Sequence, residues 1–371
     1  MSSTRKPASP PRRLQPIDLG GVRLEVPVIM APMSGVTDLP FRRLARRLGA
    51  GLVVSEMIAS WAMIRENAAT LRMAEVTDDG GPNAVQLAGC EPEAMAQAAR
   101  IAVDRGANLI DINFGCPVKK VAVGQMAGSA LMRDEALAGT LLQAVVRAVD
   151  VPVTLKMRMG WDHQSLNAPV LARIAQESGI RMVTVHGRTR QQFYTGTADW
   201  SFVSRVKQAT SLPVVVNGDI TSVAAAEQAL AESGADGVMI GRGCYGRPWL
   251  AAQIAAALTG AAPVADPDLA TELAIVLEHY QAMLAHFGHH AGLRLARKHV
   301  SWYSSGLFDS AGFRSAFNRV ESADVAVAMI SEFYERQIEL GIGREKRSAR
   351  NADQSVPSDA VQADTLTSRA A

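Results

Sequence analysis

The chain has 371 residues, 48% of them apolar, and 38 Lys and Arg against 36 Asp and Glu give a formal net charge of +2. That apolar supply suffices for a large core and excludes a wholly disordered chain. The near-neutral charge announces no nucleic-acid partner, so any such partner has to be argued from local clusters.

No uninterrupted apolar run approaches the roughly 20 residues of a membrane span, and residues 1–13 carry Pro, Ser, Arg and Lys without an apolar signal region. The three cysteines, Cys90, Cys116 and Cys244, lie far apart and form neither a disulfide framework nor a Cys-x-x-Cys metal or redox pair. A soluble, cytoplasmic protein without structural zinc is expected.

Residues 1–15 read as a flexible N-terminal extension. From there, short apolar runs end one after another in small polar or glycine clusters. Val28-Ile29-Met30-Ala31 leads into Pro32-Met33-Ser34-Gly35, Leu52-Val53-Val54 into Ser55-Glu56, and Ala84-Val85 into Gln86. Leu109 to Phe114 leads into Gly115-Cys116-Pro117, Val153-Thr154-Leu155 into Lys156 and Arg158, and Met182 to Val185 into His186-Gly187-Arg188. Pro213 to Val216 ends in Asn217-Gly218-Asp219, and Gly237 to Ile240 in Gly241-Arg242-Gly243. Between them lie helix-like stretches such as Leu39 to Leu48, Glu91 to Arg105, Glu135 to Val149, Ala168 to Glu177 and Ser222 to Glu232. Eight such alternations over about 250 residues predict an α/β fold, a (β/α)8 TIM barrel spanning residues 16–260. The polar strand ends then converge on one mouth, where catalysis in this architecture is found.

Gly, Ala, Pro and Asp interrupt the pattern at Thr259 to Pro267 and mark a domain boundary. Beyond it the periodicity predicts helices over Leu269 to Phe287, Ala291 to Ser304, Ser310 to Asn318 and Ala323 to Leu340, a small all-α bundle over residues 261–342. Residues 343–371 read as a disordered tail.

Gly241-Arg242-Gly243-Cys244-Tyr245-Gly246 fits G-x-G-x-x-G, but no second βαβ half and no acidic strand end follow as a dinucleotide fold requires. After the eighth strand of a barrel the same glycines suit a phosphate site, with Arg242 as a clamp and Pro248 opening a helix whose free N–H groups favour an anion. A plain glycine turn with a solvated arginine is the alternative. Lys156 needs an electron-rich partner if buried; an ordinary surface lysine is the alternative. With Gln86 and Met33 it describes a pocket for a phosphorylated planar heterocycle, and flavin mononucleotide fits. His186 has the competing reading of a satisfied core histidine. No second histidine or carboxylate stands at metal-ligand spacing, so no metal is expected.

Cys116 sits in a turn rather than on a packing face. Three readings compete: a buried small hydrophobe, a nucleophile and a general acid. A thiol with its ordinary pKa of about 8.5 is mostly protonated at neutral pH and can deliver a proton as a C=C bond is reduced.

Four motifs, in order, resemble the tRNA-dihydrouridine synthases, and among them the bacterial B-type branch. They are Ala31-Pro32-Met33-Ser34-Gly35-Val36-Thr37-Asp38, Asp111-Ile112-Asn113-Phe114-Gly115-Cys116-Pro117-Val118-Lys119-Lys120-Val121, Val185-His186-Gly187-Arg188-Thr189-Arg190, and Asn217-Gly218-Asp219. The similarity runs from about Leu19 to Gly341. It implies a reductase that converts uridine in tRNA, in the D-loop, to dihydrouridine with bound FMN and NADPH.

Under that resemblance Cys116 matches the proton donor to uracil C5. Pro32, Met33, Ser34 and Gln86 match flavin-ring contacts, Lys156 the lysine beside N1 and O2, and His186 a further flavin contact. Asn217, Gly218, Asp219, Gly241 and Arg242 match ribityl and phosphate contacts, and Asn113 and Arg188 match substrate contacts. Arg294, Arg297 and Lys298 share one helical face, followed by His299, Trp302 and Tyr303. Spacing alone favours a solvated face. The resemblance, in which the terminal bundle contacts tRNA, turns that toward an RNA patch that Arg314 and Arg319 extend. The rival readings are an FMN-dependent dihydroorotate- or dihydropyrimidine-type dehydrogenase acting on a free small molecule, and an RNA-binding barrel without catalysis.

Overall fold

The computed structural model describes residues 13–76 and 81–341. The expected tail from residue 343, and the N-terminal extension up to residue 12, lie outside the described residues. Of the stretch expected as an extension, residues 13–15 are described: Leu14 is buried and its N–H donates to the Leu258 carbonyl at 2.8 Å. The chain divides into two compact units, one holding the described residues up to 244 together with 248–264, the other holding 245–247 and 265–341.

The first unit opens with an antiparallel hairpin, β1 (Ile17–Asp18) and β2 (Arg23–Leu24). Then come β3 (Val28–Met30), β4 (Leu52–Val54), β5 (Ile58–Ala59), β6 (Asn83–Ala88), β7 (Leu109–Phe114), β8 (Val153–Arg158), β9 (Met182–His186), β10 (Val214–Asn217) and β11 (Gly237–Ile240). All these neighbours pair in parallel. Pairing of β11 with β3 and of β4 with β6 closes an eight-stranded barrel, and β5 adds a short flank on Leu87 and Ala88 of β6. This is the (β/α)8 barrel that the alternation predicts.

Helices α1 (Leu39–Arg47), α2 (Ser60–Ile64), α3 (Ala68–Met73), α4 (Pro92–Asp104), α5 (Glu135–Ala148), α6 (Ala168–Glu177), α7 (Trp200–Ala209), α8 (Val223–Ser233) and α9 (Leu250–Thr259) fill the crossovers. Their starts are written in the sequence. Asp38, Asn67, Asp134, Asp199 and Ser222 each accept the N–H three residues on, satisfying a donor that the first turn leaves without an intrahelical partner.

Alternate residues of each strand face the barrel interior. At the N-terminal end these are apolar: Ile29, Leu52, Ala84, Leu109, Met182, Val215 and Met239 pack with Ile17, Leu19 and Leu24 of the hairpin, which plugs that end. Two residues further along, the interior positions turn polar, with Gln86, Asp111, Thr154 and Thr184, then Asn113, Lys156, His186 and Asn217. The strands accordingly run further than their apolar runs suggest. Gln86, Lys156, Arg158, His186 and Asn217 lie within strands rather than just past them, because a polar mouth and an apolar floor belong to the same strand.

The second unit holds α10 (Leu269–Phe287), α11 (His289–Ser304), α12 (Ser310–Phe317) and α13 (Ala323–Glu339). Its core carries polar groups. Tyr334 donates to the Glu272 carboxylate at 2.8 Å, His279 Nδ1 lies 3.1 Å from the Tyr303 hydroxyl, and the His279 and His299 rings meet edge-on at 4.7 Å. Among the described residues no helix is long and apolar enough to cross a membrane.

Burial pulls His279 down to about 3, and burial, with His279 and Lys298 nearby, holds His299 well below the ordinary histidine range. Both imidazoles are neutral when folded, whereas in the unfolded chain they take up protons below about pH 6.5. The unfolded state then binds more protons, so stability is full above that pH and falls as the pH drops below it. Urea unfolding at pH 7 and pH 5.5 is expected to differ by about 1 kcal/mol for each histidine. His279→Gln should shrink that difference; a variant with an unchanged difference contradicts the assignment.

Candidate active site

Cys116 is held from both sides. Its N–H and that of Gly115 donate to Asn113 Oδ1 at 2.8 and 3.0 Å, and its carbonyl accepts from the Ser129 hydroxyl at 2.8 Å and the Ser129 N–H at 3.2 Å. The Gly115 carbonyl accepts from Arg158 Nε at 2.8 Å. Ser129 follows Gly128, whose φ of +58° suits glycine and where an added Cβ would sit 3.1 Å from both Cys116 Cβ and the Cys116 carbonyl oxygen. The corner is therefore held through its own main-chain atoms, largely by the side chains of Asn113, Ser129 and Arg158, and Cys116 is half-buried.

Behind the corner runs a chain of buried amides. Asn113 Nδ2 donates to Gln86 Oε1 at 2.7 Å, Gln86 Nε2 to Asp111 Oδ2 at 2.7 Å, and the Thr154 hydroxyl to Asp111 Oδ1 at 2.6 Å. Burial pushes the Asp111 carboxyl up, against the hydrogen bonds from Thr154 and Gln86 and the charge of Lys156.

Lys156, beside Asn113 in the β7–β8 register, is buried and has no hydrogen bond or ion pair among the described residues. Burial, then the neighbouring Arg158, bring it down to about 8, against the pull of Asp111 and Cys116. A buried ammonium without an acceptor suits an electron-rich heteroatom of a ligand, and so fits the ring of a flavin. Arg158 extends the same strand toward the rim, where its Nη1 donates to the carbonyls of Thr189 and Phe193, each at 2.8 Å. The ring of Tyr194, 52% exposed, lies between two guanidinium groups, 5.6 Å from Arg158 and 5.1 Å from Arg242.

His186 is held well below its ordinary range by burial and then by Arg158, Lys156, Arg188 and Arg242. Its Nε2 lies 3.3 Å from Arg188 Nη1, which can only donate, so the ring is a neutral acceptor at that nitrogen. Arg188 also donates to Asp219 through both Nη atoms, at 2.9 and 2.6 Å, to Gly196 O at 2.6 Å and, through Nε, to Thr195 O at 3.1 Å. Asp219 accepts further from the Ala198 N–H at 2.8 Å and approaches Arg242 Nη2 at 3.5 Å. At Gly218, φ +113°, a Cβ would fall 2.8 Å from both Ala198 Cβ and His186 Cδ2. Met33, in the loop after β3 that Thr37 closes, stands beside Gly241.

The expected residues divide by what they touch. Met33, Asn113, Cys116, Lys156, His186, Asn217, Gly218, Asp219, Gly241 and Arg242 all come from the C-terminal ends of the barrel strands or the loops just beyond. Pro32 and Ser34 flank Met33, Ser34 exposed. Gln86 is 0% exposed, beneath the floor of the mouth rather than on it. Arg188 is 2% exposed with its donors engaged by protein, so it organises the Asp219 loop instead of meeting a ligand.

The Asp219 carboxylate steadies Arg188 and Arg242. In the helical unit Arg294 is exposed, Arg297 and Lys298 are half-buried, and Arg297 Nη2 donates to Val320 O at 2.9 Å. Reading by motif misses Asp111, Thr154, Ser129, Arg158 and Tyr194. Two-residue periodicity finds the first, second and fourth, since Asp111 precedes Asn113 by two, and Thr154 and Arg158 flank Lys156 by two. Among the described residues no group of three or more His, Cys, Asp or Glu is placed to hold a metal ion.

A model of the dihydrouridine synthase family matches residues 29–339. The probable tRNA-dihydrouridine synthase of Rickettsia bellii is 56% identical over 319 residues, covering 86% of this chain and 98% of that protein. That of Rhodobacter capsulatus is 50% identical over 323 residues, 86% and 99% of the two chains, and tRNA-dihydrouridine synthase B of Xanthomonas campestris pv. campestris is 47% identical over 322 residues, 87% and 97%. Among solved structures, the 6-hydroxypseudooxynicotine amine oxidase of Pseudomonas geniculata N1 superposes with a TM-score of 0.51 at 16% identity, over 67% of this chain and 50% of that one, a likeness of fold alone. With a family model spanning most of the chain, and relatives about half identical over nearly their whole length, the chain belongs to the dihydrouridine synthase family.

Proposed function

We propose that this protein is a cytoplasmic tRNA-dihydrouridine synthase that reduces the C5=C6 bond of a D-loop uridine with NADPH, holding FMN at the barrel mouth and using Cys116 as the acid. The overall change is uridine plus NADPH plus a proton to dihydrouridine plus NADP⁺. When bound, FMN supplies the hydride for uracil C6 and is recharged by NADPH. The protein's own part is to hold the ring, admit the base and deliver the second hydrogen.

Lys156 offers its ammonium to the electron-rich edge of the ring, Met33 an apolar contact, and neutral His186 a contact without added positive charge. Arg242, steadied by Asp219, takes the phosphate with the backbone of Gly218 and Gly241. Cys116 gives its proton to C5. Asn113, with its oxygen and one N–H engaged in the corner, retains one N–H for a uracil carbonyl. Tyr194 and Arg242, with the buried Arg158 guanidinium behind the Tyr194 ring, give the rim an aromatic and cationic edge suited to a nucleotide turned out of its stack.

The observation that carries this reading is a half-buried cysteine whose main chain is clamped on both sides, at the same strand ends as a buried lysine without an acceptor among the described residues. The test is incubation of the purified protein with unmodified tRNA and NADPH, followed by mass spectrometry of the nucleosides. Uridine is expected to gain two hydrogens, and the protein to purify yellow. Turnover of free uridine or orotate in place of tRNA would favour the small-molecule dehydrogenase, and a colourless, inactive RNA binder would favour the non-catalytic barrel.

The helical unit supplies cations for RNA phosphates. Arg294→Ala is expected to weaken tRNA binding and make log Kd against log salt shallower by about 1, as one phosphate contact ceases to release counterions. Arg297 is left in place because it also holds Val320 O. An unchanged slope would return this face to bulk solvent.

A further inference from the structure

The amide chain behind Cys116 has a direction, and that direction is forced from the Gly115-Cys116 end and met by an acceptor at the other. The N–H groups of Gly115 and Cys116 can only donate, so Asn113 must turn its oxygen to them and its NH2 to Gln86. Gln86 must then present its oxygen to Asn113 and its NH2 to the next group, which has to accept. That group is Asp111, an acceptor in its ionised form. Thr154 takes up the other carboxylate oxygen.

The geometry points to Asp111 as a positioning residue for the Cys116 thiol, acting through Gln86 and Asn113. It touches neither ligand nor thiol. Its carboxylate sets which way two side-chain amides face, and so whether the Gly115-Cys116 turn finds an oxygen or an NH2 behind it. An amide reversed at Asn113 would aim donors at donors, and the corner would open. The consequence for proton delivery rests on the reading of Cys116 as the acid; the orientation of the corner does not.

The test exchanges the two ends. Asn113→Asp still accepts from Gly115 and Cys116 but places carboxylates on both sides of Gln86, whose single NH2 can serve one of them. The other must carry a proton to donate to Gln86 Oε1, which fails as the pH rises. Adding Asp111→Asn restores an unbroken chain running the other way. The new amide at position 111 donates to Gln86, Gln86 donates to the new carboxylate at position 113, and Thr154 donates to the oxygen of the amide at 111.

The readout is the rate at which iodoacetamide alkylates Cys116, followed by peptide mass spectrometry and expressed relative to wild type at each pH. Asn113→Asp is expected to raise that ratio about fivefold or more at pH 8.5 and much less at pH 6.5, and the double variant to return it to within about twofold at both. If the single variant is not recovered folded, recovery of folded protein on adding the second substitution is the rescue. A single variant that matches wild type at pH 8.5, or a double variant no better than the single, overturns the proposal.

Single-turnover dihydrouridine formation is measured alongside. Wild-type protein that makes no dihydrouridine would refute the proposed function while leaving the alkylation ratios to judge the positioning role.

Discussion

Cys116→Ala is expected to lower the rate of dihydrouridine formation by about 10²- to 10⁴-fold, the usual contribution of a positioned acid, while flavin reduction by NADPH and the flavin content stay near wild type. The separation follows from how the corner is built. Asn113 and Ser129 hold the main chain of Gly115 and Cys116, not the sulfur, so deleting the thiol leaves the turn standing. Lys156, Met33 and Arg242 are untouched, so under the proposed mechanism only the hydrogen bound for C5 is lost. Cys116→Ser separates acidity from shape. A hydroxyl fits the same place but yields its proton far less readily, so serine should resemble alanine in the tRNA-dependent step. The measurement is stopped-flow absorbance of the reduced flavin on mixing with unmodified tRNA, beside its reduction by NADPH. Equal damage to both half-reactions would mean that the cysteine is structural, and undiminished oxidation by tRNA would mean that the acid lies elsewhere.

The barrel is legible because its strands are short, apolar on both faces and separated by amphipathic helices, a pattern that few folds share. Less legible is where each strand stops. An apolar run breaks at Leu155, but the strand continues through Lys156 to Arg158, since hydrogen bonding between strands does not depend on side-chain polarity. The hairpin plug of Ile17, Leu19 and Leu24 escapes such reading because two-residue strands carry almost no periodicity.

The site shows the same division. Cys116, Lys156 and the Gly218 turn stand out locally, as a thiol, a charge or a glycine in an unusual setting. Asp111 and Arg188 do not, because what a buried charge does depends on which groups the fold brings to it. Motif alone makes Arg188 a ligand contact, yet its guanidinium is engaged by Asp219 and loop carbonyls that lie on separate segments. In the bundle, apolar periodicity marks the four helices, while the engagement of Arg297 by Val320 O joins α11 to a turn more than twenty residues on, which spacing along one helix does not reveal.

Asp219→Ala is expected to destabilise the fold by about 3 kcal/mol, the lower end of what breaking a buried ion pair costs. Arg188 is 2% exposed and Asp219 29%, so removal of the carboxylate strands a guanidinium that water hardly reaches, with only loop carbonyls and the neutral His186 ring around it. The reverse deletion would strand a group that water still reaches, which makes Asp219 the more telling member of the pair. Backbone strain adds to the loss. Asp219 has φ +53°, a region that Asp and Asn tolerate and alanine does not favour. Asp219→Asn keeps that conformation and one acceptor oxygen, so it should lie between alanine and wild type.

The contrast is the exposed pair Arg23–Glu25, just as short at 2.7 Å but with side chains 59% and 70% exposed; Glu25→Ala is expected to change stability by under about 0.5 kcal/mol. Urea midpoints of the three variants read the difference, and equal losses for Asp219→Ala and Glu25→Ala would show that burial of Arg188 carries no weight. The same substitution reaches the ligand site, because Asp219 also steadies Arg242. Flavin bound per mole of purified Asp219→Ala protein should therefore fall even at a urea concentration and temperature where it remains folded, whereas Glu25→Ala should keep its full complement.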